Sequence, residues 1–227
     1  MKKGNAPWEE LSLRKNPYKG KLIAVEGIDG SGKTTQAKEL VKRLNKAGYN
    51  ASYSKEPTED VIGQFIREKI LSGQYTLNPL AIQYLFNADR AMHMDKIEKL
   101  LEKGMIIVMD RCFWSSVAYA MNDMEKPLHW YNTAFSILSF YHQFVVPDIT
   151  FFLRINSGEA FKRIKDSDKH KEIYDNEKAL EATEKNYQLL IQEFPKEFTM
   201  INAERKIEEV TDELYKRVID ALQIQHS

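Results

Sequence analysis

Apolar residues gather in five short runs along the chain: KLIAVE at 21–26, NASYS at 50–54, MIIVMD at 105–110, DITFFLRI at 148–155 and FTMIN at 198–202. Runs of this length read as strands, and those without a polar alternation read as strands buried on both faces. Between them the period lengthens to that of a helix. After the first run Ala37, Leu40, Val41 and Leu44 share one helical face, and Gly48 marks the stop. Helices are expected again at 62–71, 79–103, 114–122, 128–144, 157–166, 175–194 and 205–225. Strands alternating with helices predict an α/β fold in three layers, a five-stranded parallel sheet covered by helices on both faces. Residues 21–227 contain no repeat, low-complexity tract or linker and are expected to form a single domain. Residues 1–20 are polar apart from Trp8, Leu11 and Leu13, and read as a mobile arm, with a small docked segment as the alternative.

Charge and composition narrow the function. The 227 residues carry 33 Lys+Arg against 33 Asp+Glu, so no net field attracts duplex nucleic acid, although a local cluster can still hold an anion. The one cysteine, Cys112, forbids an internal disulfide framework, and the five histidines fall in no HExxH arrangement. A reducing, cytoplasmic setting fits this usage. No run approaches 18 apolar residues and the first 20 residues lack the apolar core of a signal peptide, so neither a membrane span nor secretion is expected.

Directly after the first predicted strand stands Gly27-Ile28-Asp29-Gly30-Ser31-Gly32-Lys33-Thr34, an uninterrupted GxxxxGK[ST], with Thr35 following. Glycines let the backbone curl so that successive N–H groups and the start of a helix face phosphate oxygens. Lys33 then reaches the β- and γ-phosphates and Thr34 ligates Mg²⁺. Asp110 and Arg111 close the third strand, at the sheet edge where open α/β folds bind ligands, which makes Asp110 a carboxylate for the Mg²⁺ side. A nucleoside triphosphate site follows. Whether water or a second substrate receives the phosphoryl group stays open at this point.

Four further blocks bear on the acceptor: Lys55-Glu56-Pro57-Thr58, Leu85-Phe86-Asn87-Ala88-Asp89-Arg90, the stretch Asp110-Arg111-Cys112-Phe113-Trp114-Ser115-Ser116-Val117-Ala118-Tyr119, and Pro147-Asp148-Ile149-Thr150. With the Gly27–Thr35 loop, in this order, they resemble the thymidylate kinase family from about residue 21 to the last helix. The resemblance implies a P-loop kinase fold with a lid at about 165–175, and phosphoryl transfer from ATP to dTMP with Mg²⁺. It also implies roles. Gly27 through Thr35 and Arg163 bind ATP, Arg163 by stacking on adenine. Phe86 stacks on thymine and Arg90 bonds a base carbonyl. Ser115 and Ser116 lie at the pyrimidine side, Tyr119 closes under the deoxyribose, and Asp29 meets sugar and metal. Lys55 and Arg111 take the acceptor phosphate, and Lys33, Asp110, Arg111 and Lys171 are the catalytic set. Family members are dimers, and the helix expected at 128–144, apolar on nearly every side, would be buried either within one copy or between two.

The chain departs from the family pattern at several of these places. Lys55 stands where an Arg is usual, keeping charge but losing the bidentate fork. Cys112 replaces an aromatic residue and Ala120 a Gln. The family's catalytic Arg is missing from both of its places: Gly30 occupies one, and 165–171 (KDSDKHK) holds only lysines. Lys165, Lys169 or Lys171 must then supply the charge. Arg154 stands where a carboxylate is common. A kinase acting on dUMP or on a nucleoside, and an inactive paralogue, are the alternatives. A GTPase-like switch lacks its guanine-reading block, because Asn45-Lys46-Ala47-Gly48 fails at the Asp.

Overall fold

The computed structural model describes residues 13–122, 127–167 and 172–221, with backbone alone for 79–80 and 127–131. Its strands are β1 (Lys21–Glu26), β2 (Ala51–Lys55), β3 (Ile106–Asp110), β4 (Ile149–Arg154) and β5 (Thr199–Asn202). They form one parallel sheet in the order β2-β3-β1-β4-β5. The three-layer α/β expectation therefore stands, with each strand within a residue or two of its apolar run.

Alternation along β1 shows why the run is continuous. Leu22 and Ala24 enter a core with Trp114, Tyr141 and Tyr187, while Ile23 and Val25 enter the opposite one with Leu40, Leu44 and Leu214. Both faces are dry, so neither tolerates a polar residue. The covering helices are α1 (Lys33–Lys46), α2 (Val61–Phe65), α3 (Pro79–Glu102), α4 (Phe113–Ala120), α5 (Pro127–Tyr141), α6 (Ser157–Lys165), α7 (Glu177–Glu193) and α8 (Ile207–Ala221). A π-helical turn, Ile66–Leu71, continues α2. Register places Asp110 level with Val25 on β1 and Lys55 on β2, so three strand ends share one edge. β1 is central there, with β3 and β4 on either side, and its C-terminal loop opens into the crevice where such sheets hold ligands.

Part of the segment expected as a mobile arm is docked. Arg14 pairs with Glu98 at 2.8 Å and its carbonyl accepts the Val146 N–H at 3.0 Å. Asn16 donates to Asp148 at 2.6 Å and Tyr18 to Glu98 at 2.5 Å. Three polar side chains with fixed partners anchor a stretch that has too little apolar surface to signal docking by pattern. Residues 1–12 lie outside the described ones. Helix α5 ends at Tyr141, short of the expected 144, and buries Ala134, Ile137, Leu138 and Tyr141 within the chain itself. Among the described residues no helix is long and apolar enough to cross a membrane.

Candidate active site

The loop between β1 and α1 turns through left-handed backbone. Gly30 has φ 78° and no room for a side chain, since a Cβ there would lie 2.4 Å from the Ala160 carbonyl oxygen. This explains one departure from the family pattern: with the loop packed on α6, an Arg at position 30 has no space. Gly32, at φ 93°, caps α1, and its carbonyl accepts the first helical bond from Gln36 at 2.9 Å. The N–H groups of that first turn have no partner within the helix and face outward as an anion site.

Lys33 is buried and folds back on the loop, donating to the Ile28 carbonyl at 2.8 Å with Asp29 at 3.7 Å. Burial and the neighbouring Arg111 push its ammonium down to about 8, against the pull of Asp29, Asp110 and Glu26. The Thr34 hydroxyl donates to Asp110 Oδ2 at 2.5 Å, and the Tyr53 hydroxyl to the same oxygen at 3.2 Å.

Arg111 is the one non-glycine residue with positive φ, 75°, among the described residues. Such backbone costs about 1–3 kcal/mol and persists only when neighbours hold it. Glu26, wholly buried at the end of β1, does so by accepting from the Cys112 N–H (2.8 Å), the Ser115 N–H (3.1 Å), the Ser115 hydroxyl (2.6 Å) and the Tyr187 hydroxyl (2.7 Å). The Arg111 guanidinium then donates to Asp29, to Ser115 Oγ at 2.9 Å and to Tyr119 Oη at 3.1 Å, and lies 5.0 Å over the Tyr119 ring. Burial alone would raise the Asp29 carboxyl, but Arg111 and Lys33 outweigh it and hold the group well below the usual range.

A second buried network sits on α3. Arg90 Nε donates to Glu56 at 2.5 Å, Nη1 to Ser116 Oγ at 2.8 Å and to Tyr141 Oη at 2.5 Å, and Nη2 to the Cys112 carbonyl at 3.2 Å with Glu56 again at 2.5 Å. Four hydrogen bonds and the close Glu56 ion pair thus engage the guanidinium within the protein. Glu56 also meets His93 at 2.9 Å, and His93 meets Ser54 at 2.6 Å. Burial pushes the Glu56 carboxyl up, yet Arg90 and His93 outweigh that and hold it ionised. Asp89 accepts from the Thr58 N–H at 2.8 Å and its hydroxyl at 2.6 Å, bolting the loop after β2 to α3.

One cavity of about 470 Å³ opens between these parts. Asp29, Gly30, Gly32, Lys33, Thr34 and Thr35 line it from the loop, and Lys55, Asp110 and Arg111 from the strand ends. Phe86, Arg90, Ser115, Ser116, Tyr119 and Arg163 complete the set that the sequence brings here. Gly27, Ile28 and Ser31 shape the loop without lining the cavity, the Gly27 carbonyl accepting from Arg111 at 3.4 Å. Lys171 lies outside the described residues, as does Lys169. Lys165 packs 4.3 Å over the Phe161 ring and does not line the cavity. Arg163 donates to Glu159 at 3.2 Å and to the Ala203 carbonyl at 3.3 Å.

Sequence reasoning missed Arg67, Gln83 and Tyr174 in the lining. Arg67 donates to the Pro57 carbonyl at 2.5 Å and to Glu59 at 2.8 Å, which also binds Lys55 at 2.5 Å. Its signal was present only as one of two basic residues, with Lys69, in a short helical stretch. Glu26 was missed as well; its signal was an acid closing an apolar strand, a costly place for an unpaired charge. Ser167, Glu172 and Tyr174 also line the cavity, and the Ile173 N–H donates to the Leu71 carbonyl at 2.9 Å.

Comparison with known proteins agrees with this geometry. A family model for thymidylate kinase matches residues 25–214. The thymidylate kinase of Exiguobacterium sp. is 32% identical over 207 residues, covering 90% of this chain and 96% of that protein. A probable thymidylate kinase of Methanococcus aeolicus is 37% identical over 205 residues, covering 88% and 96%. The solved structure of the Candida albicans thymidylate kinase superposes with a TM-score of 0.77 at 28% identity, covering 93% of this chain and 96% of that one. A phosphate loop and an acceptor pocket on one sheet edge, within a match that spans most of the chain, place it in the thymidylate kinase family, the phosphotransferases that convert dTMP to dTDP.

Proposed function

We propose that this chain moves the γ-phosphoryl group of ATP to dTMP, releasing ADP and dTDP, with the roles given below. The observation that carries the reading is the continuity of one cavity from the Gly30–Thr35 loop to the Phe86–Arg90 face of α3. Two anionic substrates can meet end to end there.

At the donor end, backbone N–H groups of the loop and Lys33 take the triphosphate, and Arg163 meets the adenine beside Ala203. At the acceptor end Phe86 stacks on the base, Ser115 and Ser116 border it, and Tyr119 and Asp29 take the sugar. Lys55, Arg67 and Arg111 take the monophosphate. Arg90 enters with its donors already engaged, so it contacts a base carbonyl by sharing an N–H now given to Ser116 or Tyr141. A phosphate monoester with a second pKa of about 6 is mostly dianionic at neutral pH, so the acceptor oxygen needs no general base. That oxygen bonds to the γ-phosphorus as the bond to the β–γ bridging oxygen breaks. Cations must offset the charge spread over the transferred group.

Thr34 and Asp110 fit Mg²⁺, a hydroxyl and a carboxylate oxygen 2.5 Å apart at the loop. Among the described residues no cluster of three or more His, Cys, Asp or Glu would hold a metal unaided, which suits an ion that keeps water and phosphate oxygens as its other ligands. Bound with ATP, Mg²⁺ neutralises charge on the β- and γ-phosphates.

We read residues 21–227 as one domain and 165–175 as a lid whose Lys171, with Lys165 and Lys169, supplies the cation that an Arg supplies in relatives. Support comes from Ser167, Glu172 and Tyr174 in the cavity wall. A cytoplasmic setting is supported by the single, buried Cys112, and a homodimer by the exposed Val61, Phe65 and Tyr84 on α2 and α3. Coupled ADP release from ATP with dTMP, dUMP, thymidine, dCMP or no acceptor tests the reaction. Release is expected to be fastest with dTMP. Equal release without an acceptor, or a preference for thymidine, would overturn the reading.

A further inference from the structure

Inside the acceptor half one polar atom is left over. Gln83 is 5% exposed, lines the cavity, and its Oε1 is sealed from solvent with no hydrogen-bond partner among the described residues. Buried polar atoms are nearly always paired, so an unpaired one on a side chain that lines a cavity has no bond to lose when the amide turns toward a ligand. Gln83 stands three residues before Phe86 and seven before Arg90 on α3, which puts all three on one helical face.

A base buried against Phe86 brings a ring N–H that must find an acceptor, since leaving it unpaired would forfeit the bonds it made in water. The cations around the pocket offer none, because Lys and Arg are donors only. Ser116 Oγ already accepts from Arg90, Glu56 is held by Arg90 and His93, and Asn87 Oδ1 accepts from Tyr141. Gln83 Oε1 carries no such load. A carboxamide also places a donor beside its acceptor, the complement of an imide edge in which N–H lies next to C=O.

We propose that Gln83 is a specificity-determining residue of the acceptor site: its amide turns into the cavity so that Oε1 accepts the pyrimidine N3–H while Nε2 donates to an adjoining carbonyl. The inference deepens the dTMP reading and rests on it. Base recognition is then divided. Phe86 sets the plane, the Arg90 network fixes one side of the ring, and Gln83 tests for a proton on N3.

The experiment uses the full chain, with Gln83→Leu and the shape-preserving Gln83→Met, and two acceptors, dTMP and its N3-methyl derivative, which lacks the proton. Melting is measured with and without each acceptor, and KM and kcat are measured for both. Both free variants are expected to melt at or above the wild-type temperature, because the substitution removes an unpaired amide rather than a bond. The KM for dTMP should rise about tenfold at nearly constant kcat, and the wild-type preference for dTMP over N3-methyl-dTMP should shrink by a similar factor in Gln83→Leu. Unchanged dTMP KM and unchanged preference in Gln83→Met would overturn the assignment, as would a variant that loses stability without losing discrimination. If dTMP fails to raise the melting temperature of the wild type, the dTMP reading itself falls, whatever the Gln83 variants do.

Discussion

On the sheet edge polar and charged groups of the cavity are held by one another: Asp29 by Arg111 and Tyr119, Arg111 by Ser115, Ser115 by Glu26, and Arg90 by Glu56. On α6, by contrast, Arg163 in the cavity lining has one partly exposed carboxylate and one carbonyl, and Lys165, outside that lining, rests on the Phe161 ring. The floor therefore has its dipoles and charges set before any substrate arrives, which is what electrostatic stabilisation of a transition state requires. On the reading proposed above, the α6 side and the lid after it gather their cations when the site closes. The same contrast bears on the family's missing Arg. On the reading proposed above, a floor that already carries Lys33 and Arg111 needs from the lid a further positive charge, and a lysine without a planar fork meets that need.

The contrast is broken most severely on the floor. Lys33→Ala is expected to cut turnover by about 10³-fold or more while leaving the melting temperature unchanged or slightly higher, because the ammonium is buried at a cost and contributes no core packing. Coupled assay and thermal melting of the same preparation check this. Near wild-type turnover would remove the loop from the chemistry.

Arg90→Ala attacks the second network. Removing the guanidinium leaves the Glu56 carboxylate buried with His93 as its remaining side-chain partner, so a stability loss of about 3–5 kcal/mol is expected from urea unfolding. A loss below about 1 kcal/mol would mean that the pair is not carried by the fold, and Arg90 would return to being a base reader alone.

A subtler probe of the floor is pH. Lys33, pushed down to about 8 from 10.5, gives up its proton earlier in the folded protein than in the unfolded chain. Between those values the unfolded chain binds more protons, so this group's contribution to stability rises with pH, and below pH 8 its buried charge is a cost. Phosphate anions act in the opposite sense by favouring the charged form. ADP binding should therefore take up a proton near pH 8.5, and ADP affinity should weaken above about pH 8 by up to about tenfold per unit. Calorimetry in buffers of different ionisation enthalpy measures both. In Lys33→Met the uptake should vanish.

What the sequence made legible and what it hid follow the same division. β1, β3 and β4 were readable because they are buried on both faces, and the Gly27–Thr34 loop because its parts are contiguous. Networks assembled from distant elements were not. Glu26, Ser115, Arg111 and Tyr187 come from one strand, one loop and two helices, and no local spacing joins them. Arg90 illustrates the cost of reading a residue by its block alone, since its partners Glu56, Tyr141 and the Cys112 carbonyl lie 34, 51 and 22 residues away. Gln83 and Arg67 sat unremarked among helical polar residues, because periodicity tells which face a residue occupies and not whether that face is a cavity wall.

The division between a preset floor and a lid that supplies charge on closure is tested most directly by Lys165→Ala/Lys169→Ala/Lys171→Ala. Turnover with ATP and dTMP and the dissociation constant of ADP are measured on one preparation. Turnover is expected to fall about tenfold or more while ADP affinity stays within about twofold, because interactions made only in the transition state are lost. Wild-type turnover in the triple variant, or a parallel loss of ADP affinity and turnover, would contradict the account.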